Sequence, residues 1–270
     1  MTTAQTLAPV MSAEDLERRI APPAGLRPWI TEIAHIPTVE PGPVTFTHIP
    51  QAATTIVLRR EESGRRDAWV LGPRTRATYA HPEQPAGCTR IRLAPGASQP
   101  LLGIAAAELT DRVALLSELP GPAGDLADAL LALDPEQVTA FLEAELPHRL
   151  TEDPVRRDHR RLLNSAVTAM DTTAPIGDLA ADLAVSERQL RNLFTAGIGL
   201  SPKHYARIAR LRQVLAAAGN TPWSDVAHAS GYYDQSHLSA DFRSLMGVAP
   251  TAYFRGDIPA PTPCQTLSRF

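Results

Sequence analysis

Two short stretches near the end of the chain constrain it most. "FTAGIGLSPKHY" (194–205) and "FRSLMGVAPTAY" (242–253) carry Phe, Gly, Pro and Tyr at identical spacings: Phe194, Gly199, Pro202, Tyr205 and Phe242, Gly247, Pro250, Tyr253. Upstream, Ser186 matches Asp234 and Leu190 matches Leu238, again 48 positions apart. Leu179-Ala180 and Val226-Ala227 align at 47, so the second copy has one extra residue in its turn. Each copy therefore reads as a short helix, a tight turn, an N-capping Ser or Asp, and a second helix. That order is helix-turn-helix anatomy. Ser186 and Gln189 have capping-box spacing, Gly231 suits the turn, and Ala180 and Ala227 are small where two helices must meet.

The periodicity separates an inner from an outer face. In the helix after Ser186, Leu190, Leu193 and Phe194 form one stripe and should face the core. Arg188, Arg191, Asn192 and Thr195 form the opposite stripe. Arg can bond guanine O6 and N7 through two hydrogen bonds, and Asn can do the same with adenine. In the helix after Asp234, Leu238, Phe242 and Leu245 face inward, while Gln235, Ser236, Ser239 and Arg243 face outward. This second stripe is less charged and is expected to read fewer bases, with Arg243 on phosphate. Exposed Arg and Gln on a single helix usually mark only a solvated face. Duplication shifts that balance, and so does the joining segment "PKHYARIARLRQVLAAAG" (202–219). As a helix it is roughly 27 Å long, which suits two reading helices about one DNA turn apart, roughly 34 Å. Its Lys203, Arg207 and Arg210 are candidate phosphate contacts, and Tyr205 and Leu211 are expected to pack inward.

Charge divides the same way. Residues 1–154 hold 13 Arg and 20 Asp plus Glu, a balance of −7, whereas 155–256 hold 12 Arg plus Lys and 8 Asp plus Glu, a balance of +4. A mildly basic module behind an acidic body suits a polyanion partner. The start lacks the basic, apolar pattern of a signal peptide, and no apolar run approaches the roughly 18 residues of a membrane span; a cytoplasmic setting is expected. Cys88 and Cys264 form neither a disulfide framework nor a metal pair. His35, His48 and His81 are scattered, with no HxH pair, so neither a metal nor a cofactor is expected.

Before residue 100 the pattern changes to short strands: 44–49, 54–59, 67–72, 75–80 and 89–94, separated by Gly- and Pro-bearing turns. They suggest a small barrel or sandwich. Helices follow at 108–119, over "GDLADALLAL", and after Asp134-Pro135 and Asp153-Pro154. The expected fold class is α+β: a small β-rich, barrel- or sandwich-like front domain, then an all-α domain of two helix-turn-helix units joined by a long helix. The expected division is a loose lead at 1–24, the β-rich domain with trailing helices at 25–150, a linker helix at 151–172, the double unit at 173–256 and a tail at 257–270.

The segment 155–256 resembles the AraC/XylS-type transcriptional regulators. The resemblance rests on "F…G.SP..Y", "RLRQVLA", "DVAHASGYYDQSHLS" and "FRSLMGVAPTAYFR". It implies a sequence-specific DNA-binding regulator with double-stranded DNA as partner, and that Arg188, Arg191, Asn192, Gln235, Ser236 and Ser239 face the major groove. Ala240 departs from the pattern, since relatives often carry a longer polar side chain there. "GPRTR", "PG…LLG" and "AAELTDR" in the front half resemble the sensor or dimerisation domain of a subset of these regulators. That resemblance implies a small-molecule effector or a homodimer, and RNA polymerase as a further partner. Trp69, Arg74, Arg76 and Tyr79, on or beside adjacent strands, are candidate pocket residues.

Two other classes compete. A DNA-tethered enzyme would need reactive groups; the two cysteines cannot supply a four-cysteine zinc cluster, and GxSxG, HExxH, Walker and SxxK signatures are missing. No enzyme activity is expected. A protein-interaction module with degenerate DNA binding is weakened by Arg188, Arg191, Asn192 and Gln235.

Overall fold

The computed structural model describes residues 10–42, 45–170, 174–218 and 221–263. Parts of the expected lead, linker and tail, and Cys264, lie outside the described residues. The strands are β1 (Val10–Ser12), β2 (Arg18–Ile20), β3 (Ile30–Val39), β4 (Thr45–His48), β5 (Thr55–Glu61), β6 (Arg66–Leu71), β7 (Thr78–His81), β8 (Ala86–Leu93), β9 (Val113–Leu115) and β10 (Thr262–Pro263). They build a six-stranded sheet in the order β2-β3-β8-β5-β6-β9 and a four-stranded sheet in the order β1-β4-β7-β10. The larger sheet is antiparallel throughout.

Alternation along the strands gives the large sheet two different faces. Ile56, Leu58, Ala68, Val70 and Ile91 pack under α1 (Ser98–Leu102), α3 (Pro122–Asp125), α4 (Ala127–Ala132) and α5 (Pro135–Arg149). Val57, Arg59, Asp67, Trp69 and Cys88 point the other way, toward β4 of the small sheet, and line a cavity there. Asp134 caps α5 in a modified way. The Gln137 side chain accepts from Asp134 N–H at 2.9 Å, but the Asp134 carboxylate is held by Arg60 at 2.7 Å.

Three expectations need correction. The lead is not loose from Val10 onward, because β1 joins β4 and β2 joins β3. The helix expected over 108–119 is α2 (Ala106–Leu109), a turn, and then β9 on the sheet edge. Asp111, at φ 56°, stops α2 and accepts from Thr75 N–H and Thr75 Oγ1 at 2.7 and 2.6 Å. The apolar run that follows, Val113 to Leu116, satisfies either a buried strand or a helix, and periodicity does not separate them. Within the expected tail, Thr262 and Pro263 form β10, which pairs with β7. The long strand β3 escaped the strand pattern because register shifts at Ile30/Glu32 and Ile36/Val39 break its alternation.

The second half is helical: α6 (Pro154–Ala169), α7 (Ile176–Asp182), α8 (Glu187–Ile198), α9 (Pro202–Ala217), α10 (Trp223–Ala229), α11 (Gln235–Met246) and α12 (Pro250–Arg255). Two cores form. Leu163, Leu179, Leu190, Phe194 and Ile208 fill the first; Leu211, Val226, Leu238, Phe242 and Leu245 fill the second. The long helix α9 is a shared wall, giving Ile208 to one core and Leu211 and Val214 to the other.

This arrangement explains the repeated sequence. Phe194 is buried and meets Tyr205 edge-on with ring centroids 5.6 Å apart; Phe242 meets Tyr253 at 5.8 Å. Between each pair the chain must stop one helix and start another. Gly199 (φ 85°) and Gly247 (φ 78°) take the left-handed conformation that ends the first helix. Pro202 and Pro250 occupy the first turn of the next.

Candidate nucleic-acid interface

The helices α8 and α11 start on side-chain caps. Ser186 accepts from Gln189 N–H at 3.1 Å before α8, and Asp234 accepts from His237 N–H at 2.7 Å before α11. The preceding turns match. Ala184 (φ 55°) and Gly231 (φ 73°) are both left-handed, and Val185 N–H and Tyr232 N–H return to the carbonyls of Ala180 and Ala227 at 3.0 and 2.9 Å.

Arg188, Arg191, Asn192 and Thr195 are all exposed on α8. Arg191 is ion-paired with Glu187 one turn back. On α11, Gln235, Ser236 and Arg243 are exposed, and Ser239 is half-buried. Lys203 is exposed at the start of α9.

Two expected phosphate contacts are engaged elsewhere. Arg207 Nε donates to Asp241 at 2.7 Å and its terminal nitrogen to Ser244 at 3.1 Å. Asp241 is buried and also accepts from Tyr232 Oη at 3.1 Å. Arg210 lies over the Tyr232 ring, 5.3 Å from its centroid. Both arginines tie α9 to the second unit, so their charge is directed into the fold rather than away from it. Burial and the neighbouring Asp241 carboxylate push the Tyr232 phenol up, which keeps it a hydrogen-bond donor.

The front domain grips the C-terminal ends of both α8 and α11. Gly96 N–H donates to the carbonyl of Gly197 at 2.8 Å, and Thr110 Oγ1 to that of Gly199 at 3.0 Å. Ala77 N–H donates to the carbonyl of Leu245 at 2.8 Å, and Tyr79 Oη to that of Met246 at 2.7 Å. These carbonyls have no partner within their own helices, so the front domain satisfies them. On α9, Arg212 holds Glu14 through two bonds of 3.1 and 2.5 Å.

The four candidate pocket residues do not converge. Tyr79 is buried at the contact between the halves, and Arg76 is exposed. Arg74 lies with Arg76, Thr78 and Asp111 in a separate recess. Trp69 alone of the four lines the cavity between the sheets, a space of about 280 Å³ bounded by Phe46, His48, Val57 and Cys88 among others. Burial, with Arg74 and Arg90 nearby, pushes the His48 imidazole down to about 3, so it is neutral at pH 7. Sequence patterning could not place His48 in a cavity, because its neighbours there come from five other strands.

Two capped helices, each held by its own core and sharing one connecting helix, define a double helix-turn-helix module. Residues 179–256 match the family model described as a helix-turn-helix domain, and residues 18–114 match one described as a domain of unknown function. The chain is 32% identical over 114 residues to YidL, an uncharacterized transcriptional regulator of the helix-turn-helix type from Escherichia coli K12; the match covers 41% of this chain and 38% of that protein. It is 37% identical over 82 residues to a Streptomyces lividans protein named as an AraC-like transcription regulator, covering 29% of this chain and 26% of the relative. The matches thus span well under half the length of these curated relatives. Among solved structures, ToxT from Vibrio cholerae O395 aligns over 83% of this chain and 96% of its own at 13% identity, with a TM-score of 0.39. The C-terminal part of the chain is thus similar to AraC-like helix-turn-helix regulators.

Proposed function

We propose that this chain is a sequence-specific DNA-binding transcriptional regulator that puts α8 and α11 into successive major grooves of one duplex. Arg188, Arg191, Asn192 and Thr195 read bases from α8, and Gln235, Ser236 and Ser239 read fewer from α11. Lys203 and Arg243 contact phosphate. The observation that carries this reading is the pairing of two outward polar stripes on helices whose opposite ends are fastened to one body. One chain has both reading heads, so the reading requires neither a second copy nor RNA polymerase.

Selection from a pool of random duplexes tests it. The expected product is a site with two conserved half-sites about 10 base pairs apart, bound about a thousandfold or more tighter than scrambled DNA and with steep salt dependence. Binding that is indifferent to sequence at every salt concentration would remove the regulator reading in favour of an interaction module.

The cavity between the sheets supports a second element, a small-molecule sensor. Its lining of Phe46, Val57, Trp69 and Leu71, with His48, Arg59 and Asp67 as polar partners, suits a compact, largely apolar molecule with a polar group. A neutral aromatic alcohol such as 1-naphthol should raise the melting temperature of the full chain. Val57→Trp, which fills the space, should abolish that shift; an equal shift in the variant would place the probe elsewhere.

A further inference from the structure

The duplication is not perfect, and the structure identifies where the extra residue sits. Left-handed Ala184 corresponds to left-handed Gly231, and Val185 N–H bonds the Ala180 carbonyl as Tyr232 N–H bonds that of Ala227. These equivalences are 47 positions apart. The caps Ser186 and Asp234 are 48 apart. The residue inserted between the two landmarks is Tyr233. In the first unit Val185 runs directly into the cap and packs against the core. In the second, Tyr232 takes that inward role and Tyr233 is left over.

Tyr233 is 93% exposed, more than any other large apolar side chain among the described residues. Among those residues it enters no hydrogen bond, ion pair or ring contact. Its backbone, by contrast, is held firmly on both sides. Tyr232 is buried with its hydroxyl on Asp241, and Asp234 caps α11. A bulky aromatic on a fixed turn, bare to solvent and adjoining Gln235 and Ser236, gives nothing to packing. It has an aromatic ring and one hydroxyl to offer a partner.

Resting on the regulator reading above, we propose that Tyr233 is a DNA-contacting residue, its hydroxyl donating to a backbone phosphate at the edge of the groove that α11 enters. The first unit has no counterpart, because its turn is one residue shorter.

The test is fluorescence anisotropy of the full chain on a selected duplex and on a scrambled one, over a salt series, with Tyr233→Phe and Tyr233→Ala. Both variants should bind about tenfold more weakly, by the same factor on both duplexes. The salt slope should stay unchanged, since a neutral phenol releases no counterion. Melting temperatures should match the parent, because the side chain packs on nothing. Parent-like binding by Tyr233→Phe overturns the proposal, whether or not Tyr233→Ala is weakened. Failure of the parent chain itself to bind DNA would instead remove the regulator reading, so the two failures are distinguishable.

Discussion

Tyr79 on β7 donates its hydroxyl to the main-chain carbonyl of Met246 at 2.7 Å, joining the front sheet to the last turn of α11. The bond is buried, and burial, with Tyr253 nearby, pushes the Tyr79 phenol up, so it donates at any physiological pH. Tyr79→Phe leaves the carbonyl without a partner, at a cost of about 1–3 kcal/mol. In a chain with several cores this loss is expected to be local. Hydrogen exchange should speed up in 235–246 and stay unchanged in 187–198. Uniform acceleration in both helices would mean that the contact does not act on the second unit separately.

Arg191 and Glu187 are paired one helical turn apart on the exposed face of α8. In the proposed complex both approach DNA together, and the carboxylate lies among phosphates. Glu187→Gln should therefore strengthen binding on all sequences and leave the melting temperature within a degree or so of the parent, since exposed pairs contribute little. Arg191→Ala should cost about 1–3 kcal/mol on the selected site and much less on scrambled DNA. Equal losses on both duplexes would make Arg191 a phosphate contact.

Arg207 and Lys203 sit one turn apart on α9 but should behave in opposite ways. Removing Lys203 should flatten the salt dependence by about one unit of slope without affecting stability. Arg207→Ala leaves buried Asp241 with Tyr232 as its one side-chain partner among the described residues, and breaking such a pair costs about 3 kcal/mol. Thermal melting should register that loss, and the salt slope should not change. A flattened slope for Arg207→Ala would return it to the phosphate contacts.

His48 predicts how stability depends on acid. Its folded pKa, about 3, lies below the ordinary imidazole value. Between the two, the unfolded chain binds more protons, so stability falls as pH drops below about 6.5. The Glu14 carboxyl acts at lower pH. Burial raises its pKa, but Arg212, Arg92 and Arg90 outweigh that and hold it below its usual value, so its contribution is lost only under stronger acid. Melting temperatures at pH 7.5 and 5.5 should differ less in His48→Asn than in the parent. An unchanged difference would assign the acid sensitivity to other groups, such as His35 or His204, whose pKa values are also lowered by burial.

The sequence by itself determined the duplicated unit, its caps, its helix stops and its outward stripes. These follow from rules that act over a few residues: apolar spacing at 3.6, a Ser or Asp before the first turn, Gly where φ is positive and Pro where a helix begins. Phe194 and Tyr205, only eleven positions apart, were legible for that reason. The extra turn residue was legible as a slip between 47 and 48 but not as Tyr233, because finding it needed the backbone hydrogen bonds of both turns. Which cations are held within the fold emerges only once the chain is folded. Arg207 and Asp241 are 34 positions apart, and no local signal distinguishes an arginine held by a buried carboxylate from one facing solvent. The same holds for Tyr79 and Met246, 167 positions apart, and for β9, whose apolar run became a strand because an open sheet edge at β6 was there to receive it. Such pairings depend on which surfaces the whole chain brings together, and their energies come from burial and hydrogen bonding between segments that carry no record of each other.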